Sequence, residues 1–356
     1  MSAIRSSVFR ATRLTSRATP TLSRAPRAFF SGSTKLRDDV EIISEREIPV
    51  STYNGKGENA QGRHSTIPVR GTPTLEAAGA EVETVKPLAK GVYNAMPKTL
   101  QKMSIMDKVV IITGGARGLG NHMARACAEA GAKTVIIFDA NQDLGDESAA
   151  ELHKLTGLPV AFFKVDVRDG DAIVEAVNAV VEKYGTPDVL INSAGIADSN
   201  IPAEEYDPNM FRRLIDINLT GSFLMSQAVG KAMIAAGKPG SIVLVASMSG
   251  SIVNFPQEQS CYNASKAGVI QLGKSLGAEW AKYNVRVNCI SPGYMDTELN
   301  RVPALDAQKK IWTQLTPQQR LGNVDELNGL AIFLASDASS FMTGSNVIID
   351  GGYTLY

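Results

Sequence analysis

The sequence predicts an α/β fold built around one parallel sheet of seven strands. From about residue 107 to the C-terminus, short apolar runs rich in β-branched residues alternate with longer amphipathic stretches. This alternation is typical of βαβ units, whose parallel strands are covered by helices on both faces. In chain order, the apolar runs are KVVIITGG, KTVIIFD, PVAFFKVDV, DVLINSAG, GSIVLVAS, VRVNCISPG and NVIIDGG. Because one theme repeats throughout, we expect residues 105–356 to form a single domain.

The N-terminal part of the chain has a different composition. Residues 1–30 contain six arginines, several Ser and Thr residues and no acidic residue, as mitochondrial transit peptides do. We therefore expect a mature chain that begins near residue 31 in the mitochondrial matrix. A basic N-terminus without a targeting role, and hence a cytoplasmic protein, is the alternative. Residues 31–104 are polar and predict a linker, or an arm that packs on the main domain.

Charge and composition exclude several classes of protein. Lys+Arg and Asp+Glu total 36 each, and without residues 1–30 the chain has 30 basic and 36 acidic residues, a net charge of −6. This balance predicts neither nucleic acid nor a membrane surface as a partner. No apolar run approaches the roughly 18–20 residues that span a bilayer. The three cysteines and three histidines lack metal-binding spacing, so we expect no metal site and no Ser-His-Asp triad.

The stretch TGGARGLG, residues 113–120, lies between the first predicted strand and the helix that follows it. Glycines let the backbone approach a pyrophosphate, and the helix N-terminus supplies unpaired N–H groups and a positive dipole end. This context predicts a dinucleotide site in a doubly wound, Rossmann-type sheet. The candidate cofactor-binding residues of this turn are Gly114, Arg117, Gly118, Leu119 and Gly120.

Asp139 ends the second predicted strand and bears on the choice of cofactor. An acid at this position accepts hydrogen bonds from the ribose hydroxyls of NAD and repels the additional phosphate of NADP. The alternative is that Asp139 only caps the next helix. Arg117 favours NADP instead, since a base in the glycine turn can meet the extra phosphate. We expect NAD, because the repulsion between the Asp139 carboxylate and a phosphate should exceed the attraction that a flexible arginine offers.

Tyr262 and Lys266 are four residues apart in SCYNASKAG. On a helix this spacing places both side chains on one face, with an ammonium beside a phenol. A neighbouring positive charge favours the phenolate, so we expect Lys266 to lower the pKa of Tyr262 from its usual value of about 10. The pair predicts a general acid/base that does not use histidine.

Taken together, these motifs resemble the short-chain dehydrogenase/reductase family over residues 105–356. TGGARGLG resembles the cofactor turn of the family, NSAG its fourth-strand signature, and VDV, INLTG, YNASK and SPGYMDT its other motifs. The resemblance implies an NAD(P)-dependent oxidoreductase. Beyond the glycine turn and Asp139, the cofactor-binding residues that it implies are Asp166, Val167, Asn192, Ala194, Gly195, Tyr262, Lys266, Pro292, Gly293 and Thr297.

The resemblance also implies the catalytic roles. Tyr262 exchanges a proton with the substrate oxygen, Lys266 also bonds the nicotinamide ribose, and Asn218 holds Lys266 through a water molecule. A serine after the fifth strand polarises the substrate oxygen. We expect this serine to be Ser247, which directly follows the strand, whereas Ser249 is the alternative because it lies nearer to the usual spacing before the tyrosine.

The sequence around the catalytic tyrosine bears on the substrate. Residues 247–268 resemble the fungal ketose and polyol reductases, namely mannitol 2-dehydrogenase, sorbose reductase, xylulose reductase and D-arabinitol 2-dehydrogenase. A sugar would use the polar side chains of this loop, unless the loop faces solvent or another subunit. These side chains are Asn254, Gln257, Glu258 and Gln259.

We therefore expect an NAD-dependent enzyme that interconverts a polyol and a ketose, with D-arabinitol and ribulose or xylulose as the preferred pair. One alternative is a mitochondrial 3-oxoacyl thioester reductase, which would need a basic patch for its carrier. The other is a non-catalytic NAD-binding scaffold, which would not need the tyrosine. The resemblance further implies a homotetramer in which two long helices of each subunit pair with those of a neighbour.

Overall fold

The computed structural model describes residues 42–50, 63–70, 85–198, 200–297, 300–301 and 303–356. The chain divides into two compact units, residues 1–74 and 75–356. In the first unit, strands β1 (Ile42–Val50) and β2 (Arg63–Arg70) pair antiparallel. The polar extension therefore contains a two-stranded ribbon, which its weak apolar alternation does not predict. The expected transit segment, residues 1–30, lies outside the described residues.

The second unit is built on a parallel sheet of seven strands, which confirms the predicted α/β class. The strands are β3 (Val109–Thr113), β4 (Thr134–Asp139), β5 (Val160–Lys164), β6 (Val189–Asn192), β7 (Gly240–Val245), β8 (Val285–Pro292) and β9 (Asn346–Ile349). Their order across the sheet is β5-β4-β3-β6-β7-β8-β9. The order reverses direction between β3 and β6, and ligands of open α/β sheets bind in the crevice at such a switch point.

Helices precede and connect the strands. They are α1 (Lys90–Ala95), α2 (Lys98–Lys102), α3 (Gly118–Glu129), α4 (Gln142–Thr156), α5 (Gly170–Tyr184), α6 (Pro208–Ile215), α7 (Gly221–Ala235), α8 (Ser260–Trp280), α9 (Asp306–Leu315) and α10 (Asn328–Ala335). A π-helical turn, Asp216–Thr220, joins α6 to α7 without a break. Helices α4 and α5 begin at side-chain caps, since Asn141 and Asp169 accept hydrogen bonds from backbone N–H groups of the first turn.

The two faces of the sheet form two separate apolar cores. Alternate residues of β3 point to opposite faces, as the pleat of a strand requires. Ile111 packs with residues of α5, α7 and α8 on one face. Val110 and Ile112 pack with residues of α3, α4 and α10 on the other. Burial on both faces explains why these strands read as continuous apolar runs.

Residues 85–104 pack on the main domain rather than extending away from it. The Leu88 amide donates to the Glu129 carbonyl oxygen at 2.9 Å, and the Ile105 amide donates to the Ala130 carbonyl oxygen at 3.2 Å. These contacts join the segment around α1 and α2 to the C-terminal end of α3. This part of the chain therefore belongs to the same compact unit as the seven-stranded sheet.

None of the helices that the structure describes combines the length and the hydropathy of a membrane-crossing segment. Within the same described ranges, no three His, Cys, Asp or Glu side chains are grouped as metal ligands would be. The three cysteines are all buried and free of disulfide bonds.

Candidate active site

The glycine turn between β3 and α3 has the tight shape that the sequence predicts. Gly114 and Gly118 have φ angles of +64° and +60°, which only glycine adopts without strain. A β-carbon on Gly120 would lie 2.2 Å from the Gly114 carbonyl oxygen, so the first helical turn packs directly on the preceding loop. The backbone therefore folds back on itself and leaves the N-terminus of α3 accessible.

This helix N-terminus fits the pyrophosphate of a dinucleotide. Arg117 is the N-cap of α3, but its side chain makes no capping hydrogen bond, and the first turn contains no acidic residue. A β-carbon added to Gly118 would meet no atom within 4 Å, so the turn is open on that side. Leu119 is partly buried against the core. An uncapped helix N-terminus offers its N–H groups and positive dipole end to an anion.

Thr113, which the sequence analysis overlooked, ties the glycine turn to the loop after β6. Its hydroxyl donates to the Asn192 side-chain oxygen at 2.8 Å and accepts from the amides of Ser193 and Ala194 at 3.1 and 3.0 Å. The Asn192 amide in turn donates to the Ser222 carbonyl oxygen at 3.0 Å. Thr113 and Asn192 are almost fully buried. The Asn192 side chain thus supports the predicted cofactor site by joining the end of β3 to the start of α7.

Asp139 lies at the C-terminal end of β4, beside the glycine turn. Its carboxylate accepts hydrogen bonds from the amides of Ala116 at 3.3 Å and Asn141 at 3.0 Å. The cap of α4 is Asn141, whose side chain accepts from the Leu144 amide. The alternative interpretation of Asp139 as the helix cap is therefore wrong, and its carboxylate is placed next to the turn that would hold the cofactor.

Asp166 carries an ion pair that the sequence analysis did not identify. The Arg168 guanidinium binds both carboxylate oxygens of Asp166, and this hydrogen bonding lowers the pKa of Asp166. Its neighbour Val167 is buried against Gly221, at the start of α7. Asp166, one of the predicted cofactor-binding residues, is thus held in its charged form at the carboxyl edge of the sheet.

The remaining predicted cofactor residues lie on loops at the same edge. Gly195 is exposed, and a β-carbon there would lie 3.2 Å from the Asn218 side-chain oxygen and 3.6 Å from Lys266 Nζ. Pro292 ends β8, and the Gly293 amide donates to the Ile349 carbonyl oxygen at 2.9 Å. Thr297 follows on the same loop and is partly buried.

Ser247 and Tyr262 are brought into contact at the end of β7. The Ser247 side chain lies close enough to the Tyr262 hydroxyl to lower the pKa of that phenol, against the effect of burial. Ser247 is 8% exposed, and its oxygen also accepts from the Ser249 amide at 3.1 Å. Gly250 allows this arrangement, because a β-carbon there would lie 2.6 Å from the backbone of Lys266 on α8. Of the two serines considered, Ser247 is the one that touches the tyrosine.

Lys266 occupies the same buried corner, but it does not act on Tyr262 as we expected. Its ammonium donates to the Val245 carbonyl oxygen at 2.8 Å and lies 5.7 Å from the centre of the Tyr262 ring. Burial lowers the pKa of Lys266 to about 8. Burial also raises the pKa of Tyr262, and the hydrogen bond with Ser247 opposes this shift. The prediction that Lys266 lowers the pKa of Tyr262 is wrong for this arrangement, because the ammonium faces a carbonyl oxygen and the ring rather than the phenolic oxygen.

Asn218 lies in the π-helical turn between α6 and α7 and is fully buried. Its side-chain oxygen accepts from the Ile196 amide at 2.9 Å, and its nitrogen donates to the Ile196 carbonyl oxygen at 2.9 Å and to the Ser265 hydroxyl at 3.1 Å. Asn218 therefore fastens the loop after β6 to the helix that carries Tyr262 and Lys266. Single-turn π-helices often mark functional sites.

The polar loop predicted to contact a sugar is largely engaged within the protein. Asn254 and Gln259 are 5% and 6% exposed, and the Gln259 amide donates to the Asn254 side-chain oxygen at 2.8 Å. Gln257 accepts a hydrogen bond from the Tyr294 hydroxyl. Glu258 is exposed. The expectation that Asn254 and Gln259 are free to bind substrate is therefore wrong, since both amides already have buried partners.

Comparison with known proteins agrees with this geometry. Residues 114–354 match the family model described as enoyl-(acyl carrier protein) reductase. The chain belongs to the short-chain dehydrogenase/reductase family. Members of this family use NAD or NADP, and the accessible N-terminus of α3 described above suits either dinucleotide.

Several curated relatives within the short-chain dehydrogenase/reductase family cover about the same part of the chain. A sorbose reductase of Schizosaccharomyces pombe is 40% identical over 70% of this chain and 97% of its own. An NADP-dependent mannitol dehydrogenase of Hypocrea jecorina is 40% identical over 72% of this chain and 96% of its own. A ribulose-forming D-arabinitol 2-dehydrogenase of Candida tropicalis is 41% identical over 69% of this chain and 92% of its own.

Among solved structures, a gluconate 5-dehydrogenase from Burkholderia cenocepacia in complex with NADP and tartrate is similar to this chain. It is 35% identical, has a TM-score of 0.68, and the match covers 72% of this chain and 99% of that one. The family fold thus accounts for the seven-stranded unit.

The Thr113 hydroxyl provides a test of how the cofactor site is supported. Thr113→Val leaves the Asn192 oxygen and two loop amides without their partner, which we expect to cost about 1–3 kcal/mol of folding free energy. Because the loop after β6 is then released, the affinity for the nicotinamide cofactor should fall. Thermal unfolding and fluorescence titration with the reduced cofactor measure the two effects.

The matched control is Thr134→Val, since the Thr134 hydroxyl is also buried but makes a single hydrogen bond, to the Pro159 carbonyl oxygen. It should lose stability and keep its cofactor affinity. Equal cofactor affinity in the two variants would contradict the supporting role of Thr113.

Proposed function

We propose that this protein is an NAD(H)-dependent oxidoreductase that interconverts a polyol and the corresponding ketose, with D-arabinitol and ribulose or xylulose as the preferred pair. The observation that carries this proposal is the contact between the Ser247 and Tyr262 hydroxyls beside the buried Lys266 ammonium. A non-catalytic scaffold would have no use for such a group. Proton exchange with a substrate oxygen requires a hydroxyl held in this way at the edge of the cofactor crevice.

Each of the four predicted catalytic residues has a distinct role in this proposal. Tyr262 accepts the proton of the substrate hydroxyl during oxidation and returns it to the carbonyl oxygen during reduction. Ser247 donates to the same oxygen and stabilises the negative charge that develops there. Lys266 holds α8 to the end of β7 and would bind the nicotinamide ribose. Asn218 keeps the loop after β6 against this helix. The nicotinamide, when bound, supplies or accepts the hydride.

The substrate class is supported by the relatives rather than by the polar loop. The three curated relatives described above are named for sorbose, mannitol and D-arabinitol. Each name denotes a ketose or a polyol. The structural relative is named for gluconate, another polyhydroxylated substrate. These names favour a polyhydroxylated substrate over an acyl thioester.

The preference for NAD is supported by Asp139, whose carboxylate lies beside the glycine turn. In this position it would accept hydrogen bonds from the ribose hydroxyls and repel a phosphate on the same ribose. Arg117 is exposed in the turn and has the opposite tendency. Two of the relatives described above are NADP-dependent or bind NADP. The choice between NAD and NADP therefore depends on the opposing effects of Asp139 and Arg117.

The first test is turnover of the full chain with NAD or NADP and D-arabinitol, xylitol, mannitol or sorbitol. The absorbance of the reduced nicotinamide reports the reaction. We expect NAD reduction with a pentitol, and Tyr262→Phe should lower the rate by roughly 10²- to 10⁴-fold because it removes the proton-transfer group. Tyr283→Phe is the control, since Tyr283 also lies near a lysine ammonium, that of Lys282, but is exposed.

Two results would contradict the proposal. Activity confined to an acetoacetyl thioester would make the protein a 3-oxoacyl thioester reductase. Cofactor binding without turnover of any polyol or thioester, unchanged in Tyr262→Phe, would make it a scaffold.

The cofactor preference has a separate test. Asp139→Ala should improve kcat/KM with NADP relative to NAD by at least roughly tenfold, because a like-charge contact is removed. Asp143→Ala is the control, since Asp143 is an exposed acid in the first turn of α4. If the wild-type enzyme preferred NADP, or if Asp139→Ala left the ratio of the two kcat/KM values unchanged, residues other than Asp139 would determine the cofactor preference.

We also propose that the protein acts in the mitochondrial matrix as a homotetramer. The composition of residues 1–30 supports the location, since this segment is rich in arginine and free of acid. Partly exposed aromatic side chains on α6 and α7, Phe211 and Phe223, support an interface on that side of the domain.

A further inference from the structure

Tyr294 directly follows the predicted cofactor residues Pro292 and Gly293, at the carboxyl end of β8. In the sheet, β8 is next to β7, on the side away from the switch point between β3 and β6. A cofactor whose pyrophosphate lies at the end of β3 must reach across β6 to bring its nicotinamide to Ser247, at the end of β7. Tyr294 therefore lies on the far side of the catalytic corner from the cofactor.

The Tyr294 side chain points away from the apolar core that its neighbour enters. Met295 is 6% exposed and packs with residues of α3 and α10. The backbone is extended here, since Met295 forms a β-bridge with Gly322, so neighbouring side chains point to opposite sides. Tyr294 is partly exposed, and its hydroxyl is hydrogen-bonded to the side chains of Asn254 and Gln257, in the loop that leads to α8.

Tyr294 is also close to the catalytic tyrosine. Burial raises the pKa of Tyr294, and the Tyr262 phenol is near enough to add to this increase. Both side chains are partly exposed. The loop that holds the Tyr294 hydroxyl is fastened to the start of α8, because the Gln259 amide donates to the Asn254 side-chain oxygen at 2.8 Å. A substrate oxygen that reaches Tyr262 therefore brings the rest of the molecule near Tyr294.

The ring of Tyr294 has a rigid support behind it. It stacks on Trp312 of α9 with centroids 4.2 Å apart and an interplanar angle of 6°. Trp312 is only 2% exposed. Tyr353, near the C-terminus, meets the Tyr294 ring edge-on at 5.2 Å, and its own hydroxyl donates to the Phe255 carbonyl oxygen at 3.2 Å. Because protein interiors are close-packed, the Tyr294 ring cannot retreat without displacing the buried Trp312.

We propose that Tyr294 is a specificity-determining residue whose ring, supported by Trp312, forms the end wall of the substrate site and limits the length of the carbon chain that extends from Tyr262. The inference rests on the proposed function for its substrate class, the polyols, and adds a length to it. This wall favours pentitols over hexitols, because the additional carbon unit of a hexitol would meet the aromatic ring.

Tyr294→Leu tests the wall, because it removes the flat ring and keeps an apolar side chain. D-arabinitol, xylitol, mannitol and sorbitol supply the two chain lengths. We expect the ratio of kcat/KM for the better hexitol to that for the better pentitol to rise by at least roughly tenfold, since one methylene in a fitted pocket is worth roughly 10- to 200-fold. Tyr294→Phe retains the ring and should keep this ratio within about twofold of wild type.

Tyr184→Leu is the matched control for a structural effect. Tyr184 ends α5 and is also a partly buried tyrosine, which packs against the apolar core near the amino end of β6. Its replacement should lower stability and leave the ratio unchanged, because a loss of folded enzyme lowers turnover of both chain lengths equally. Thermal unfolding of each variant checks that the fold is retained.

Three results would overturn the inference. The first is a wild-type ratio in Tyr294→Leu, and the second is an equal rise of the ratio in Tyr184→Leu. The third is an equal rise in Tyr294→Phe, since the selection would then depend on the hydroxyl of Tyr294 rather than on its ring.

Failure of the proposed function has a different outcome from failure of the wall. Wild-type activity confined to thioesters would refute the polyol proposal. The wall is then tested by the ratio of kcat/KM for a 3-oxohexanoyl thioester to that for an acetoacetyl thioester, which should rise by at least roughly tenfold in Tyr294→Leu. A protein that turns over neither class would refute both, since it has no substrate whose length the wall could limit.

Discussion

The hydrogen bond from the Lys266 ammonium to the Val245 carbonyl oxygen is the contact on which the active-site corner depends. It joins α8 to the end of β7 inside the protein, where burial strengthens the interaction between the charge and the carbonyl dipole. The close approach of Gly250 to the backbone of Lys266 completes this junction. Because Ser247 lies on the strand side of the junction and Tyr262 on the helix side, their contact follows from it. Catalytic geometry here is a consequence of how one helix is fastened to one strand.

The sequence was sufficient to predict the fold and to identify the central residues of the candidate active site. Parallel strands that are buried on both faces must be apolar throughout, so the strands could be predicted from composition and alternation, and the two partly buried edge strands, β5 and β9, carry the same apolar pattern. The glycine turn and the pair Tyr262 and Lys266 could be found because their spacing has a direct physical meaning. Ser247 and Asn218 came instead from the resemblance to a family, since nothing local to either residue distinguishes it from an ordinary serine or asparagine.

Other features depend on the three-dimensional positions of side chains, which the spacing of residues along the sequence does not reveal. The pKa of Tyr262 is raised because burial outweighs an ammonium that faces a carbonyl oxygen. Asn254 and Gln259 read as free polar groups in a loop, yet they are buried and bonded to each other. Thr113 lies at the end of an apolar strand, and its three hydrogen bonds join segments about 80 residues apart in the chain. The ribbon of β1 and β2 lies in a stretch without clear alternation.

The pH dependence of Ser247→Ala tests the central claim, that Tyr262 is the proton-transfer group and that Ser247 tunes it. Oxidation of an alcohol needs the phenolate, so its rate should rise with pH through the pKa of Tyr262, and reduction of the carbonyl should decline over the same range. The hydrogen bond with Ser247 lowers this pKa, so Ser247→Ala should move the oxidation profile to higher pH. Lys266, with a pKa of about 8, is present in both proteins and does not produce the difference. A profile that stays in place or moves to lower pH would contradict the account.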